Sequence, residues 1–279
     1  MDIIVNNLLT IFKSDYKLKY GSYAIQGHRE YMEDTINIYP LKLQHMNNCY
    51  IIILCDGHAG DACSKYVSTE LPILIKSNLQ NIYPTTPVKT INNIITSCIL
   101  RLDGRYKKKI DMSGTTCVFS LFLNDRLFIV NIGDSRCIIG DSYNKLKLAT
   151  TDHKPNEKKE LLRIYKNGGS ITNMDTHRVY INNNANGLAI SRVIGDNHYK
   201  GYNIVISNPD IYSRKTLITG EIMILASDGL WDVITNSDVI KFVNKRIKQI
   251  RLSIIAKELV EYALKKGSMD NITAIIVMI

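Results

Sequence analysis

Short apolar runs rich in Val, Ile and Phe recur along the chain, and most are bounded by Gly, Asp or Asn. Continuous apolar segments of about four to eight residues between such boundaries are typical of buried strands. We therefore predict strands at residues 50–55, 117–123, 127–132, 222–226 and 272–279.

Longer segments place apolar residues three and four positions apart, which is the spacing of one helix face. They predict amphipathic helices at residues 61–79, 88–102, 156–166 and 237–266. The predicted strands come in adjacent pairs and do not alternate strictly with helices. This order favours an α+β fold over a doubly wound parallel sheet. We expect two stacked antiparallel β-sheets, a β-sandwich, flanked by α-helices on both faces in a four-layer αββα arrangement.

Residues 167–187 form the most polar and least periodic stretch, and they include the asparagine-rich segment 182–186. The pattern predicts either a mobile flap or an ordinary surface loop, and both readings stay open. No internal repeat and no long Pro/Gly/Ser linker divides the sequence. We therefore expect one domain over residues 1–279, in agreement with a hydrophobic content of 45%.

The formal net charge is +9, and the basic residues are spread along the chain instead of gathering in one stripe. A nucleic-acid platform needs clustered Lys and Arg with aromatic partners, so no nucleic-acid ligand is expected. The densest basic run, residues 107–109, is interpreted as a solvated helix end or loop. A basic surface still favours phosphorylated, acidic protein partners.

Several features bear on location. No run approaches the roughly 20 apolar residues of a membrane-spanning helix, and residues 1–7 lack the order of a secretory signal. The six cysteines include no C-x-x-C pair, which favours reduced thiols over a zinc site or disulfides. We expect a cytoplasmic and/or nuclear monomer without stable membrane association. Residues 1–20 are an N-terminal extension whose apolar residues could form a short strand or helix against the core; membrane contact is the alternative.

Acidic residues stand at the ends of predicted strands. They occur in Asp56-Gly57, Gly133-Asp134, Asp228-Gly229 and Asp270-Asn271. Each pair alone is also a common turn signal. Several carboxylates converging at the mouth of a sheet would repel one another unless cations neutralise them. Hard oxygen ligands favour Mg²⁺ or Mn²⁺.

Eight short motifs follow one another in a fixed order. They are Arg29-Glu30-Tyr31-Met32-Glu33-Asp34, Asp56-Gly57-His58-Ala59-Gly60, Ser113-Gly114-Thr115-Thr116, Gly133-Asp134-Ser135-Arg136, Asp152-His153-Lys154-Pro155, Leu188-Ala189-Ile190-Ser191-Arg192 with Gly195-Asp196, Ala226-Ser227-Asp228-Gly229-Leu230-Trp231-Asp232, and Gly267-Ser268-Met269-Asp270-Asn271. Together they resemble the metal-dependent Ser/Thr protein phosphatases, also called type 2C or PPM phosphatases, from about residue 23 to residue 277.

The resemblance implies a sandwich fold with a cleft at one end that holds two Mg²⁺ or Mn²⁺ ions. Asp56 would bridge both ions, and the Gly57 carbonyl would complete the shell of one of them. Asp228 and Asp270 would ligate the other ion. The resemblance also assigns Glu33 and Asp34 to waters bound by the metals, and Asp134, near Thr116, to a third, weaker cation.

The implied reaction is hydrolysis of phosphoserine and phosphothreonine in proteins by a metal-activated water, without a phosphoenzyme intermediate. Arg29 can grip phosphate oxygens through two donors. His58 follows Asp56 closely enough to protonate the leaving oxygen, although a histidine at such a turn can also serve as a cap or a core residue.

Other motif residues receive structural roles. Asp196 and Asp232 are interpreted as structural groups or groups outside the direct metal contacts. Ser191 and Arg192 are expected to order the flap and the cleft wall, and Trp231 to pack in the core.

Two positions depart from the family pattern. Ala59 replaces a glycine that is common after the histidine, so a positive φ there would be strained. Cys117 stands where a smaller residue is common. The alternative function is a catalytically inactive scaffold or binding module, which would be expected to have lost carboxylates that this sequence retains.

Overall fold

Two five-stranded sheets stacked face to face form the centre of the computed structural model. The structure describes residues 18–107, 111–173, 177–180, 187–200 and 203–278. Numbered along the described chain, the strands are β1 (Lys19–Ile25), β2 (Thr35–Leu41), β3 (Cys49–Cys55), β4 (Gly57–His58), β5 (Gly114–Thr115), β6 (Cys117–Leu123), β7 (Arg126–Ile132), β8 (Arg136–Gly140), β9 (Leu146–Ala149), β10 (Ser170–Asn173), β11 (His177–Tyr180), β12 (Ile194–Gly195), β13 (Asp210–Lys215), β14 (Ile222–Ala226) and β15 (Ile272–Met278).

The helices are α1 (Ala62–Leu79), α2 (Val88–Tyr106), α3 (Lys158–Lys166), α4 (Asp228–Trp231), α5 (Asn236–Asn244) and α6 (Leu252–Lys265). One sheet has the strand order β1-β15-β14-β8-β9, and the other has the order β13-β7-β6-β3-β2. Their neighbouring strands run antiparallel. A small sheet of order β12-β5-β4 and the hairpin β10-β11 complete the described strands.

Strand β3 shows why the central strands are apolar along their whole length. Successive side chains of a strand point to opposite faces. Ile52 and Leu54 therefore enter the core between the two sheets, while Ile51 and Ile53 pack in a second core that contains residues of α1 and α2. The other sheet packs its outer face against α4, α5 and α6. These layers confirm the predicted α+β sandwich with helices on both faces.

Each predicted strand is confirmed to within a few residues, but the four edge strands β1, β2, β9 and β13 were not predicted. An edge strand retains partly exposed residues, as β9 and β13 do here. It therefore lacks the continuous apolar run that made the central strands recognisable. The short inner strand β8 was missed as well.

The prediction of one helix over residues 237–266 is wrong, because the segment forms two helices, α5 and α6. A single helix of that length would be about 45 Å long, roughly twice the length of a seven-residue strand. The chain turns between the helices, and both of them pack on the same apolar core. The apolar spacing continues through the turn because Ile247 and Ile250 also contact that core.

The segment predicted as a flap or loop contains the hairpin β10-β11, in which Ser170 pairs with Tyr180 and Asn173 with His177. Val179 belongs to a small separate core with Ile164 and Ile190. The asparagine-rich residues 182–186 lie outside the described residues, as do residues 1–17 of the N-terminal extension and residues 108–109 of the basic run. No helix in the described part of the chain is long and apolar enough to cross a membrane.

Candidate metal centre and active site

The acidic motifs lie at one end of the sandwich, where strands of both sheets begin or end. Asp56 follows β3 directly, Asp228 is the first residue of α4 after β14, and Asp134 comes shortly after β7. Asp34 precedes β2, and Asp270 lies just before β15. Because neighbouring strands are antiparallel, the end of one strand lies beside the start of the next. The topology therefore gathers these carboxylates from distant parts of the sequence.

These carboxylates interact strongly with one another. Burial raises the pKa of Asp56 well above its ordinary value, and the charges of Asp34, Asp228, Asp134 and Asp270 raise it further. The pKa of Asp228 is raised for the same reasons, first by burial and then by Asp134. Ionised carboxylates in this cleft are thus destabilised in the folded protein, and a bound cation would remove that cost.

Backbone contacts hold Asp56 and Gly57 in place. The Asp56 carbonyl accepts hydrogen bonds from Thr116 N at 2.9 Å and from Thr115 Oγ1 at 3.0 Å. Gly57 pairs with Thr115 in the small sheet. A Cβ atom at Gly57 would lie 2.6 Å from the Glu33 carbonyl oxygen, so only glycine fits here. The glycine of this Asp-Gly pair thus allows the Glu33 segment to approach Asp56.

Asp34 is buried, and one of its two carboxylate oxygens has hydrogen bonds. Its Oδ2 accepts from Thr273 Oγ1 at 2.6 Å and from Ser227 Oγ at 2.9 Å. Its Oδ1 has no hydrogen-bond partner among the described residues. Burial raises the pKa of Asp34 to about 6. A buried carboxylate oxygen without a donor fits an ion or an ordered water at this position.

Asp134 is almost fully buried, and its Oδ2 forms an ion pair with Lys154. Thr116 lies close by, since its Oγ1 is 2.7 Å from Ser135 Oγ. The sequence motif contained Lys154, but no role was assigned to it. Nothing in the sequence spacing shows that its ammonium group reaches Asp134.

Arg29 and Asp270, predicted as phosphate clamp and metal ligand, form an ion pair with Arg29 Nη2 2.6 Å from Asp270 Oδ2. The Arg29 side chain is 56% exposed, so its guanidinium remains accessible from solvent. Asp270 Oδ1 also accepts a hydrogen bond from Asn271 N at 2.7 Å.

Glu33 lies beside this pair and contacts backbone groups. Its Oε1 accepts a hydrogen bond from Gly60 N at 2.5 Å, and its own N donates to Asn271 Oδ1 at 2.8 Å. Glu33 therefore connects the Asp56 motif to the Asp270 motif.

His58 has a carboxylate partner that was not predicted. Its Nε2 lies 2.5 Å from Asp196 Oδ2, and Asp196 is buried. Burial alone would lower the pKa of His58, but the hydrogen bond and charge of Asp196 outweigh it and raise the pKa. The next residue, Ala59, has φ of +56° and is therefore in the strained conformation anticipated from the sequence.

The expected role of Ser191 and Arg192 in ordering the cleft wall stays a prediction, but the structure shows a charged partner for both. Ser191 Oγ donates to Glu160 Oε2 at 2.6 Å, and Arg192 Nη2 lies 2.6 Å from Glu160 Oε1. Arg163 also pairs with Glu160. Sequence analysis missed Glu160, because a glutamate on an amphipathic helix usually faces solvent.

Trp231 is buried, and its Nε1 donates to the Ala226 carbonyl at 2.9 Å, which confirms the prediction of core packing. Asp232 lies at the edge of the carboxylate cluster with part of its surface exposed. Partial burial raises its pKa, the charge of Lys154 opposes this rise, and the charge of Asp134 adds to it.

The residues present fit a divalent metal centre. The acidic groups that converge there supply carboxylate oxygens, the hard ligands that Mg²⁺ and Mn²⁺ prefer. The described residues contain no group of three or more Asp, Glu, His or Cys side chains already placed to hold one ion. Mg²⁺ is commonly bound through one or two carboxylates and several waters, so such a group is not required.

Comparison with known structures identifies the fold. The crystal structure of serine-threonine phosphatase 2C from Toxoplasma gondii superposes with a TM-score of 0.80, covering 93% of this chain and 94% of that chain at 23% sequence identity. The fold is thus that of the phosphatase 2C structures, in agreement with the predicted α+β sandwich.

Sequence comparison gives the family. The model of protein phosphatase 2C matches residues 18–272. Protein phosphatase 1L from Bos taurus is 34% identical over 262 residues, which cover 91% of this chain and 71% of that protein. This chain belongs to the protein phosphatase 2C family, and the resemblance inferred from the motifs is confirmed. A protein kinase and PP2C-like domain-containing protein from Oryza sativa is 29% identical over 100% of this chain, which spans only 43% of that longer relative.

Proposed function

We propose that this protein hydrolyses phosphoserine and phosphothreonine in other proteins with the help of two Mg²⁺ or Mn²⁺ ions, and that a third ion binds more weakly. The observation that carries the proposal is the gathering of five mutually repelling carboxylates, Asp34, Asp56, Asp134, Asp228 and Asp270, at one end of the sandwich.

In this proposal, Asp56, Gly57, Asp228 and Asp270 would hold the two principal ions, Glu33 and Asp34 would hold waters bound to them, and Asp134 would hold the third ion. Divalent ions held there would lower the pKa of a water and so supply a nucleophile for direct hydrolysis of the phosphate ester, without a phosphoenzyme.

Arg29 supplies the phosphate contact. Its guanidinium is exposed at the mouth of the cleft and carries donors that match phosphate oxygens in a bidentate geometry. Its ion pair with Asp270 holds the side chain beside the carboxylate cluster.

His58 supplies the proton to the leaving serine or threonine oxygen. Burial opposes protonation of His58, but the hydrogen bond and charge of Asp196 raise its pKa and so favour the protonated imidazole. A general acid in this position contributes about 10²- to 10⁴-fold to the rate.

Phosphate release from a phosphothreonine peptide, measured with and without Mn²⁺ or Mg²⁺, tests the proposal. Wild type should require the metal, and both Asp56→Ala and Asp228→Asn should lose the metal-dependent activity while retaining cooperative unfolding. Asp141→Asn is the matched control, because Asp141 pairs with Lys147 in a turn outside the cluster. A fully active Asp228→Asn variant would contradict the ligand assignment.

The same assay tests the alternative of an inactive scaffold, which predicts no activity of wild type with any divalent cation. We further propose that the protein acts in the cytoplasm and/or nucleus as a monomer, without nucleic acid and without stable membrane association. Fractionation of cells and the mass in solution check these points.

A further inference from the structure

Lys154 is placed among the site carboxylates by a short, well-connected loop. Its neighbour His153 donates from its backbone N to the Gly133 carbonyl at 2.9 Å, and Gly133 N donates to His153 Nδ1 at 3.0 Å. These two hydrogen bonds fix the Lys154 loop beside the turn that carries Asp134. The fold thus holds the backbone of Lys154 beside Asp134.

The ammonium group of Lys154 pairs with Asp134 Oδ2, where Asp134 has 5% of its side chain exposed and Lys154 has 34%. The charges of Asp134, Asp228 and Asp232 raise the pKa of Lys154 although burial opposes this. Lys154 therefore balances the charge of three carboxylates, two of which we assign to metal binding.

We propose that Lys154 is a built-in competitor of the divalent cation at Asp134. The inference rests on the proposed metal centre. In the metal-free protein the Lys154 ammonium group neutralises Asp134. The ammonium group must move away from Asp134 Oδ2 before a divalent cation can bind to that oxygen.

Competition predicts two opposite effects of removing the lysine charge. The metal-free protein becomes less stable, because buried carboxylates lose their compensating cation. The cation binds more tightly at Asp134, because it no longer displaces an ammonium group. A purely structural lysine would weaken both properties when replaced, and a lysine that binds only substrate would change neither.

Titration calorimetry of the metal-free protein with MnCl₂ measures the binding directly, independent of catalysis. We expect Lys154→Gln to bind Mn²⁺ at its weakest site about tenfold more tightly than wild type, a change of about 1.4 kcal/mol. Lys154→Arg keeps the charge and should bind as wild type does. Lys147→Gln removes a lysine that pairs with Asp141 outside the site and serves as the matched control.

Thermal unfolding in EDTA provides a second readout. We expect the metal-free Lys154→Gln variant to melt at a lower temperature than metal-free wild type. In an Asp134→Asn background, Lys154→Gln should no longer tighten Mn²⁺ binding, because the two residues act on the same ion. If Lys154→Gln binds Mn²⁺ no more tightly than wild type, the competition is refuted while the metal centre stands. If wild type binds no Mn²⁺, both proposals fail.

Discussion

At the scale of single residues, the backbone is strained at Ala59, directly beside the proposed general acid His58. A non-glycine residue with φ of +56° lies in the left-handed region, which costs about 1–2 kcal/mol. Strained backbone of this kind often accompanies functional sites. Ala59 directly follows His58, so the turn that strains it also positions the imidazole.

Replacing Ala59 with glycine should raise the free energy of unfolding. Glycine removes the strain but adds entropy to the unfolded chain, so the net gain should be about 0.5–1 kcal/mol. Thermal or urea unfolding measures it. The control Ala62→Gly lies at the start of α1, where glycine brings no relief of strain, and should lose stability. An Ala59→Gly variant less stable than wild type would show that the side chain contributes packing greater than the strain.

The identity of the site residues could be predicted from the sequence, but their pairing could not. Asp56 and Asp228 stand next to apolar strands, so their place at strand ends was visible in the pattern. His58 and Asp196 are separated by 138 positions, and only the small sheet brings them within hydrogen-bonding distance. When tertiary packing brings two distant residues together, neither local sequence motif indicates that they will pair.

At the scale of elements, Glu160 connects α3 to the segment before β12. It accepts from Ser191 and pairs with Arg163 and Arg192, and Arg192 in turn pairs with Asp210 at the start of β13. Burial acts to raise the pKa of Glu160, but the hydrogen bonds from Arg192, Ser191 and Arg163 prevail and lower it to about 2. The Glu160 carboxylate thus stabilises the packing of α3 against the segment before β12 and, through Arg192, against the start of β13.

This lowered pKa gives a definite pH dependence. The folded-state value of about 2 lies below the ordinary 4.5, so Glu160 stabilises the fold above pH 4.5 and loses this contribution as the pH falls toward 2. The difference corresponds to about 3 kcal/mol. Glu160→Gln should therefore be less stable than wild type at pH 7, and the gap should narrow in acid.

Urea unfolding of both proteins between pH 7 and pH 3 measures this gap. Glu157→Gln is the control, because Glu157 caps the same helix by accepting from Lys159 N, glutamine keeps an acceptor there, and Glu157 forms no ion pair among the described contacts. A gap that stays constant with pH would contradict the role assigned to the charge of Glu160.

The elements also show where sequence periodicity fails. Central strands such as β3 were predicted because both of their faces are buried, whereas edge strands such as β2 were missed. The two helices α5 and α6 were merged because the turn between them carries isoleucines at helical spacing. Periodicity reports which residues face a core, and it does not report where the chain turns while facing the same core.

At the scale of the whole molecule, function and stability oppose each other at the cleft. Folding gathers carboxylates whose pKa values rise, first because burial disfavours the ionised forms and then because these forms repel one another. An acid with a raised pKa in the folded state lowers stability once the pH passes its ordinary value. The metal-free protein is therefore destabilised at neutral pH, and a bound cation would remove this destabilisation.

Mn²⁺ should accordingly raise the melting temperature of wild type in proportion to the logarithm of its concentration, with a gain of about 2.7 kcal/mol at 100 times the dissociation constant. Metal-free Asp56→Asn should melt above metal-free wild type, because one buried charge is gone, and should respond much less to Mn²⁺. Differential scanning calorimetry in EDTA and in Mn²⁺ makes the comparison. An Asp56→Asn variant that melts lower without metal would show that Asp56 is stabilising as an anion.

The pairing of β1 with β15 determines how this protein can be attached to something else. Ile25 lies opposite Ile272 next to the carboxylate cleft, while Lys19 lies opposite Met278 at the far end of the same ladder. The two ends of β1 are six residue steps apart, a distance of about 20 Å. A surface tether, a fluorescent label or a fused protein joined near either Lys19 or Met278 would therefore leave from the same corner, and the cleft would stay open to large substrates.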